Sequence, residues 1–194
     1  RQEELAFQMF EALGFTCLRI PGVEADDVVA TLAHKLSLHD FETVIFTGDK
    51  DIMSCCNKNV SVYAGSKKKL YKLNDVKDFL GIPASKVLDF LAIDGDKADN
   101  IPGLKGAGAK SAIELLNNYA LDEVIKDPGL IQNLTIKNKK KIEEIFRGDL
   151  SDLYLSRELT RLKLDVELGI NLNEMKRTAP RYESFLNGYM RPQY

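Results

Sequence analysis

Residues 43–55 read TVIFTGDKDIMSC. Thr43–Thr47 is a short β-branched and aromatic run, the pattern of a strand buried in a parallel sheet. Gly48-Asp49-Lys50-Asp51 then breaks the run, and Ile52 and Met53 open a further apolar stretch expected to be helical. A strand ending in this turn places two carboxylates beyond the sheet's C-terminal edge, where open α/β sheets bind their ligands. Asp also suits turns for purely structural reasons, so this segment alone leaves both roles open.

The flanking sequence extends the pattern. Upstream, Glu24-Ala25-Asp26-Asp27 precedes Val28, Leu32 and Leu36 at helical spacing. Phe15–Ile20 alternates loosely, is β-like, and ends at Pro21-Gly22. Leu5, Met9, Phe10 and Leu13 share a helical face that Gly14 stops. Helix, strand, helix, strand, turn and helix in succession predict an α/β layer with a parallel-rich sheet.

Downstream, Val60–Tyr63 and Lys69–Leu73 flank Gly65-Ser66, which predicts a hairpin, and residues 75–80 form a short helix ending at Gly81. Beyond Pro83 the spacing predicts helices only, over 84–93, 108–119, 121–126, 137–147, 151–159 and 180–190. The boundary therefore falls near residue 82, with an α/β part over 1–82 and a helical part over 83–194.

The chain has 194 residues, 44% of them hydrophobic, enough to bury a core in one domain or one domain with a small satellite. Acids outnumber bases two to one over residues 1–60, and bases slightly outnumber acids thereafter. An acidic half beside a mildly basic one suits a cation-loaded centre next to a polyanion-binding surface, although ordinary charge scatter gives the same totals. Cys17, Cys55 and Cys56 make an odd count without metal spacing, and neighbouring cysteines bridge only under strain, so a reduced, cytoplasmic protein is expected. No apolar run reaches membrane-spanning length, and no membrane partner is expected.

Three short clusters hold seven acids. Glu24, Asp26 and Asp27 stand where a helix begins, with Glu24 and Asp27 on one face, a placement that also complements the helix dipole. Asp49 and Asp51 follow the strand. Asp96 and Asp99, in GDKADN over 95–100, fall at the C-terminal end of an apolar helix pattern, where carboxylates oppose the dipole and call for compensation by a cation. Clustered carboxylates repel one another unless cations intervene. Oxygen ligands without His or Cys point to Mg²⁺ or Mn²⁺, and two such ions suit phosphodiester hydrolysis. Lys50, between Asp49 and Asp51, is a candidate to approach the same phosphate, while His34 and His39 fit no ligand pattern.

Residues 102–112 read PGLKGAGAKSA. Gly103, Gly106 and Gly108 permit positive φ and close approach of a ligand. The helix opening near Gly108 presents backbone N–H groups to an anion, flanked by Lys105 and Lys110. A plain helix–helix connection explains the glycines equally well, and the spacing is not that of a P-loop. The lysines of 67–69 and of 137–141 are solvated surface or additional phosphate contacts without sequence preference.

GVEADDVVATLA, VIFTGDKDIMSC and GDKADNIPGLKGAGAKSA, in this order, resemble the 5′-nuclease domain of bacterial DNA polymerase I and its phage and flap-endonuclease relatives. SRELTRLKLDVEL at 156–168 resembles the end of that domain. The resemblance implies a PIN-like 5′-nuclease fold, α/β with a parallel-rich sheet and a C-terminal helix-three-turn-helix subdomain. It implies a structure-specific 5′-3′ exonuclease or flap endonuclease of DNA replication and repair, working by two-metal catalysis.

Glu24, Asp26, Asp27, Asp49, Asp51, Asp96 and Asp99 match its metal ligands, with Asp26, Asp49, Asp51 and Asp99 carrying the catalysis. The 103–110 turn, with Gly103, Lys105, Gly106, Gly108 and Lys110, matches the helix-hairpin-helix-like element that holds duplex phosphates and K⁺. Asp94 stands where relatives have a neutral residue and is not assigned as a ligand.

Relatives carry a further α/β segment with the first strand, its Asp, another acid and a basic arch, which is either supplied in trans or lost by truncation of the sequence. The expected partners are DNA with a 5′ flap or branched or duplex 5′ end, and the missing N-terminal segment or a polymerase module. A cytoplasmic monomer of bacterial or phage type is expected. Two other readings stay open: a non-catalytic, structure-specific DNA-binding fragment, and a related PIN-type ribonuclease.

Overall fold

The computed structural model describes residues 2–181 and 183. Most of the helix expected over 180–190 lies outside these residues. The chain divides into two compact units, Arg1–Val28 with Asp165–Tyr194, and Val29–Leu164.

In the first unit, α1 (Gln2–Ala12) stops at Gly14, as the glycine predicts. Gly14 takes φ +83° and its carbonyl accepts the Thr178 N–H at 2.9 Å. A Cβ there would lie 2.1 Å from the Thr178 carbonyl oxygen, so no other residue fits. Arg19 reaches Glu3 at 2.7 Å and lies over the Phe7 ring at 4.5 Å, which ties the α1 N-terminus to the following segment. The expected apolar stripe is not a buried one: Leu5 and Phe10 are exposed, and Phe10 packs edge-on against Phe15. Residues 15–20, expected as β-like, form no strand, because no ladder partner is present among the described residues. The first turn of α2 (Ala25–Leu38) carries Asp26 and Asp27.

The second unit holds a three-stranded sheet. β1 (Thr43–Phe46) pairs in parallel with β2 (Val60–Ala64), which pairs antiparallel with β3 (Lys69–Tyr71). The hairpin around Gly65-Ser66 is thus present, closed by Lys68 in the left-handed region at φ 50°. The sheet is mixed, with one parallel and one antiparallel pair. β2 is central and buries Val60, Val62 and Ala64. β1 buries only Ile45, whereas Val44 and Phe46 are exposed. The doubly buried strand expected here is therefore buried on one face, since β1 is an edge and nothing in the described residues covers its outer side. Phe46 leans instead on Tyr63, with ring centroids 5.0 Å apart.

After β1 the chain turns into a 3₁₀ segment, Asp51–Cys55, rather than an α-helix. α3 (Leu73–Leu80) follows β3 and ends at Gly81 with φ +80°. The helices α4 (Val87–Asp94), α5 (Ala109–Asn118), α6 (Leu121–Lys126), α7 (Lys139–Arg147) and α8 (Ser151–Leu159) occupy the spans that periodicity assigned to helices. One continuous core joins Ile45, Val60 and Val62 to Leu91 and Ile93 of α4, Leu115 and Leu116 of α5, and Leu153 of α8. Arg157 fastens α8 to its neighbours, with Nε 3.1 Å from Asp89 and Nη1 2.6 Å from Asp122. Burial pushes the Asp89 carboxyl up despite the guanidinium beside it. The net result is a rigid footing for α4, whose C-terminal end carries the acidic loop.

Candidate metal centre and nucleic-acid interface

Asp49 and Asp51 follow β1 in a tight polar turn. Thr47 Oγ1 accepts the Asp49 N–H at 3.0 Å, and Asp49 Oδ1 accepts the Asp51 N–H at 2.9 Å. Asp49 is thereby an organiser of the turn as well as a charge beside Asp51. Ile52 and Met53 bury in the core and anchor the segment from below.

α4 ends at Asp94, and Gly95 takes φ +78° to reverse the chain. Asp96 and Ile101 exchange two backbone hydrogen bonds, of 3.1 and 2.7 Å, which closes a small loop over 96–101. Asp96 Oδ1 accepts the Ala98 N–H at 2.7 Å inside that loop. Leu104 N–H then donates to the Ile93 carbonyl at 2.7 Å and returns the chain to α4.

This packing brings Asp51, Asp96 and Asp99 together. Each offers one carboxylate oxygen, and these oxygens lie within 4.8 Å of one another. Asp51 Oδ1 is buried and has no hydrogen-bond partner. An orphaned buried oxygen on a carboxylate beside two others is costly unless a cation joins the group. Burial, then the neighbouring charge of Asp49, pushes the Asp51 carboxyl up from its ordinary 3.8 to about 6. Asp96 goes the other way: the Lys50 ammonium at 3.0 Å and the Ala98 N–H hold it below the usual carboxylate range. The donor set is all hard oxygen, and it fits a divalent cation of the Mg²⁺ or Mn²⁺ class.

Glu24, Asp26 and Asp27 belong to the first unit. Glu24 is exposed, Asp26 half-buried and Asp27 buried, all at the opening of α2. The Glu24 carbonyl accepts the Val28 N–H at 3.2 Å and starts the helix. Asp94 is exposed at the end of α4.

The glycine turn spans Pro102 to Gly108. Gly103 takes φ +63° and Gly106 φ +94°, as their type predicts. Gly108 does not: it is extended at φ −78° as the residue preceding α5. A Cβ there would meet nothing within 4 Å, so the fold itself does not demand glycine at this position. α5 opens without an acid in its first turn and without a side-chain cap, so its first N–H groups have no side-chain acceptor. Lys105 and Lys110 are exposed beside it, and Lys105 stands 3.9 Å from Asp152. A Cβ on Gly106 would lie 2.8 Å from Ile145 Cδ1 and 4.0 Å from Lys141 Cε, so α7 packs against the turn at these two residues.

One contributor had no signature in the sequence, and another was read there as approaching a phosphate. Ser156 Oγ, fully buried on α8, accepts the Gly103 N–H at 2.9 Å and holds the turn from 53 residues away. Lys50, set between two acids, spends its charge on Asp96 rather than on its sequence neighbours. Charge complementarity alone could have suggested the second pairing, and nothing local could have suggested the first.

Comparison with known proteins gives the chain a family. A family model described as 5′-3′ exonuclease, N-terminal resolvase-like domain, matches residues 1–81. A second, described as 5′-3′ exonuclease, C-terminal SAM fold, matches residues 82–183. The chain is 34% identical over 183 residues to the thermostable DNA polymerase I of Thermus filiformis, covering 94% of this chain and 21% of that protein. It is 33% identical over 174 residues to the 5′-3′ exonuclease of Aquifex aeolicus, covering 89% of this chain and 57% of that protein. Among solved structures, T5 5′-exonuclease with bound zinc superposes with a TM-score of 0.56 at 27% identity, over 73% of this chain and 51% of that one. The chain thus spans about a fifth of the polymerase and somewhat over half of the exonuclease.

Proposed function

Because the chain belongs to the 5′-3′ exonuclease family, we propose that it serves a structure-specific 5′ nuclease that hydrolyses DNA phosphodiesters near 5′ ends, at flaps or junctions, in replication and repair. The observation that carries the proposal is the meeting of Asp51, Asp96 and Asp99, with one Asp51 oxygen buried and unpartnered. Structural carboxylates are ordinarily satisfied by donors, and this one is not.

In this reading the cofactors are two Mg²⁺ or Mn²⁺ ions. Asp51, Asp96 and Asp99 hold one of them, with Asp49 beside them. Glu24, Asp26 and Asp27 contribute to the other. Bound there, the ions supply an acidified water and stabilise the leaving oxygen. The carboxylates act as ligands rather than as general bases. Residues 1–82 form the α/β metal-binding part, to which Asp96 and Asp99 of the helical, DNA-binding part 83–194 add two ligands. The first N–H groups of α5 meet a duplex phosphate, Gly108 lets the backbone approach, and Lys105 and Lys110 add charge. K⁺ binds the carbonyls of the glycine turn. The protein acts in the cytoplasm as a monomer on DNA.

A comparison of substrates tests this reading. With Mn²⁺ present, a duplex with a 5′ flap should be cut near the junction, and single-stranded RNA should be cut poorly. Preferential cleavage of the RNA, or tight flap binding with no cleavage, would overturn it.

A further inference from the structure

Asp96 is the one member of the three-carboxylate group whose two oxygens are both engaged: Oδ1 accepts the Ala98 N–H at 2.7 Å and Oδ2 meets the Lys50 ammonium at 3.0 Å. The two partners differ in kind. The Ala98 bond is a local turn contact inside the backbone loop that Asp96 and Ile101 close. The Lys50 side chain is 51% exposed on a flexible stem, whereas the Asp96 side chain is only 13% exposed. An ammonium half in water gives up a partner at small cost, because water replaces it. A divalent cation bound by Asp96 together with Asp51 and Asp99 competes for the same carboxylate.

We infer that Lys50 is a resident counter-ion, which neutralises Asp96 while the centre is metal-free and is exchanged for the divalent cation on binding. The inference rests on the metal reading of the three carboxylates and adds a role for a residue that is itself no ligand. It explains how three acids fold so close together. Repulsion among Asp51, Asp96 and Asp99 is offset by a charge that folding supplies from the adjacent β1 turn. It also sets the affinity of the centre, since each binding event must displace the ammonium.

Mn²⁺ titration of the metal-free chain by electron paramagnetic resonance, with no DNA present, tests the exchange. Lys50→Met should tighten Mn²⁺ binding about two- to five-fold, the range that breaking an exposed ion pair implies. Lys50→Arg should restore the wild-type affinity. Lys97→Met is the control, since Lys97 is exposed in the same loop and makes no ion pair among the described residues. It should change the affinity much less. Binding that is unchanged or weaker in Lys50→Met overturns the exchange and makes Lys50 a positioning residue. Equal tightening in the Lys97 control overturns it too, reducing the effect to general charge. Absence of Mn²⁺ binding by the wild-type chain would instead remove the metal reading on which the inference stands.

Discussion

The backbones of Gly103 and Gly95 touch: a Cβ placed on Gly103 would lie 2.6 Å from the Gly95 nitrogen and 2.8 Å from the Asp94 carbonyl oxygen. Gly103 begins the glycine turn, and Gly95 begins the loop that carries Asp96 and Asp99. The segment proposed to hold DNA and the segment proposed to hold the cation therefore share one backbone joint. A displacement of the turn cannot leave the acidic loop where it was.

Gly103→Ala should accordingly damage both. The residue sits at φ +63°, where a side chain is strained, and the added methyl meets backbone rather than a movable side chain. Urea denaturation should show a loss of about 1–3 kcal/mol, and Mn²⁺ affinity should fall with it. A variant as stable as wild type would mean that the joint is looser than the backbone distances imply.

Asp99→Asn and Asp49→Asn should each abolish divalent-dependent cleavage of flap DNA while leaving binding of the same DNA largely intact. Asp99 is exposed and bears little of the fold. The Asp49 side chain can still accept the Asp51 N–H as an amide oxygen, so the turn should survive. Cleavage rates and gel-shift affinities measured side by side decide it. Full activity in either variant contradicts the assignment of that residue.

Much of this arrangement is legible in the sequence. TVIFT announces β1, Gly81 and Gly14 end their helices, and Gly65-Ser66 marks the hairpin, because strand branching and positive φ are local properties. What stayed illegible depends on neighbours. Phe15–Ile20 has strand-like alternation without a strand, since alternation cannot supply a pairing edge. Leu5 and Phe10 have helical spacing without burial, since a stripe does not say what will cover it. At the site, the acids could be grouped by motif. Which three oxygens converge, and that one Asp51 oxygen is buried without a partner, depends on the packing of α4 against the 3₁₀ segment after β1.

Asp51 also sets a pH dependence. Its folded carboxyl is raised to about 6 from 3.8, so folding of the metal-free protein favours the protonated form. The stability this lends is fully present below the unfolded value and is lost as pH rises through about 6. In a chelator, Asp51→Asn should therefore gain stability relative to wild type as pH is raised across that window. With Mn²⁺ the trend should reverse, because the ion takes the place of the proton and needs the ionised carboxylate. A wild-type minus variant difference that stays flat with pH in the chelator would contradict the burial of this group.

Lys110→Ala should weaken duplex binding and flatten its salt dependence. Loss of one phosphate contact reduces the slope of log affinity against log salt by about 0.9. Fluorescence anisotropy over a range of KCl concentrations measures it. An unchanged slope would indicate that the first turn of α5 only connects helices.

The central claim is that Asp51, Asp96 and Asp99 together hold a divalent cation. Crystals grown with Mn²⁺ and measured at the manganese absorption edge test it without reference to any activity. The account predicts an anomalous peak bound by carboxylate oxygens of all three residues, with the Lys50 ammonium withdrawn from Asp96. A map with no peak there, and Lys50 still paired to Asp96 at saturating Mn²⁺, would contradict it.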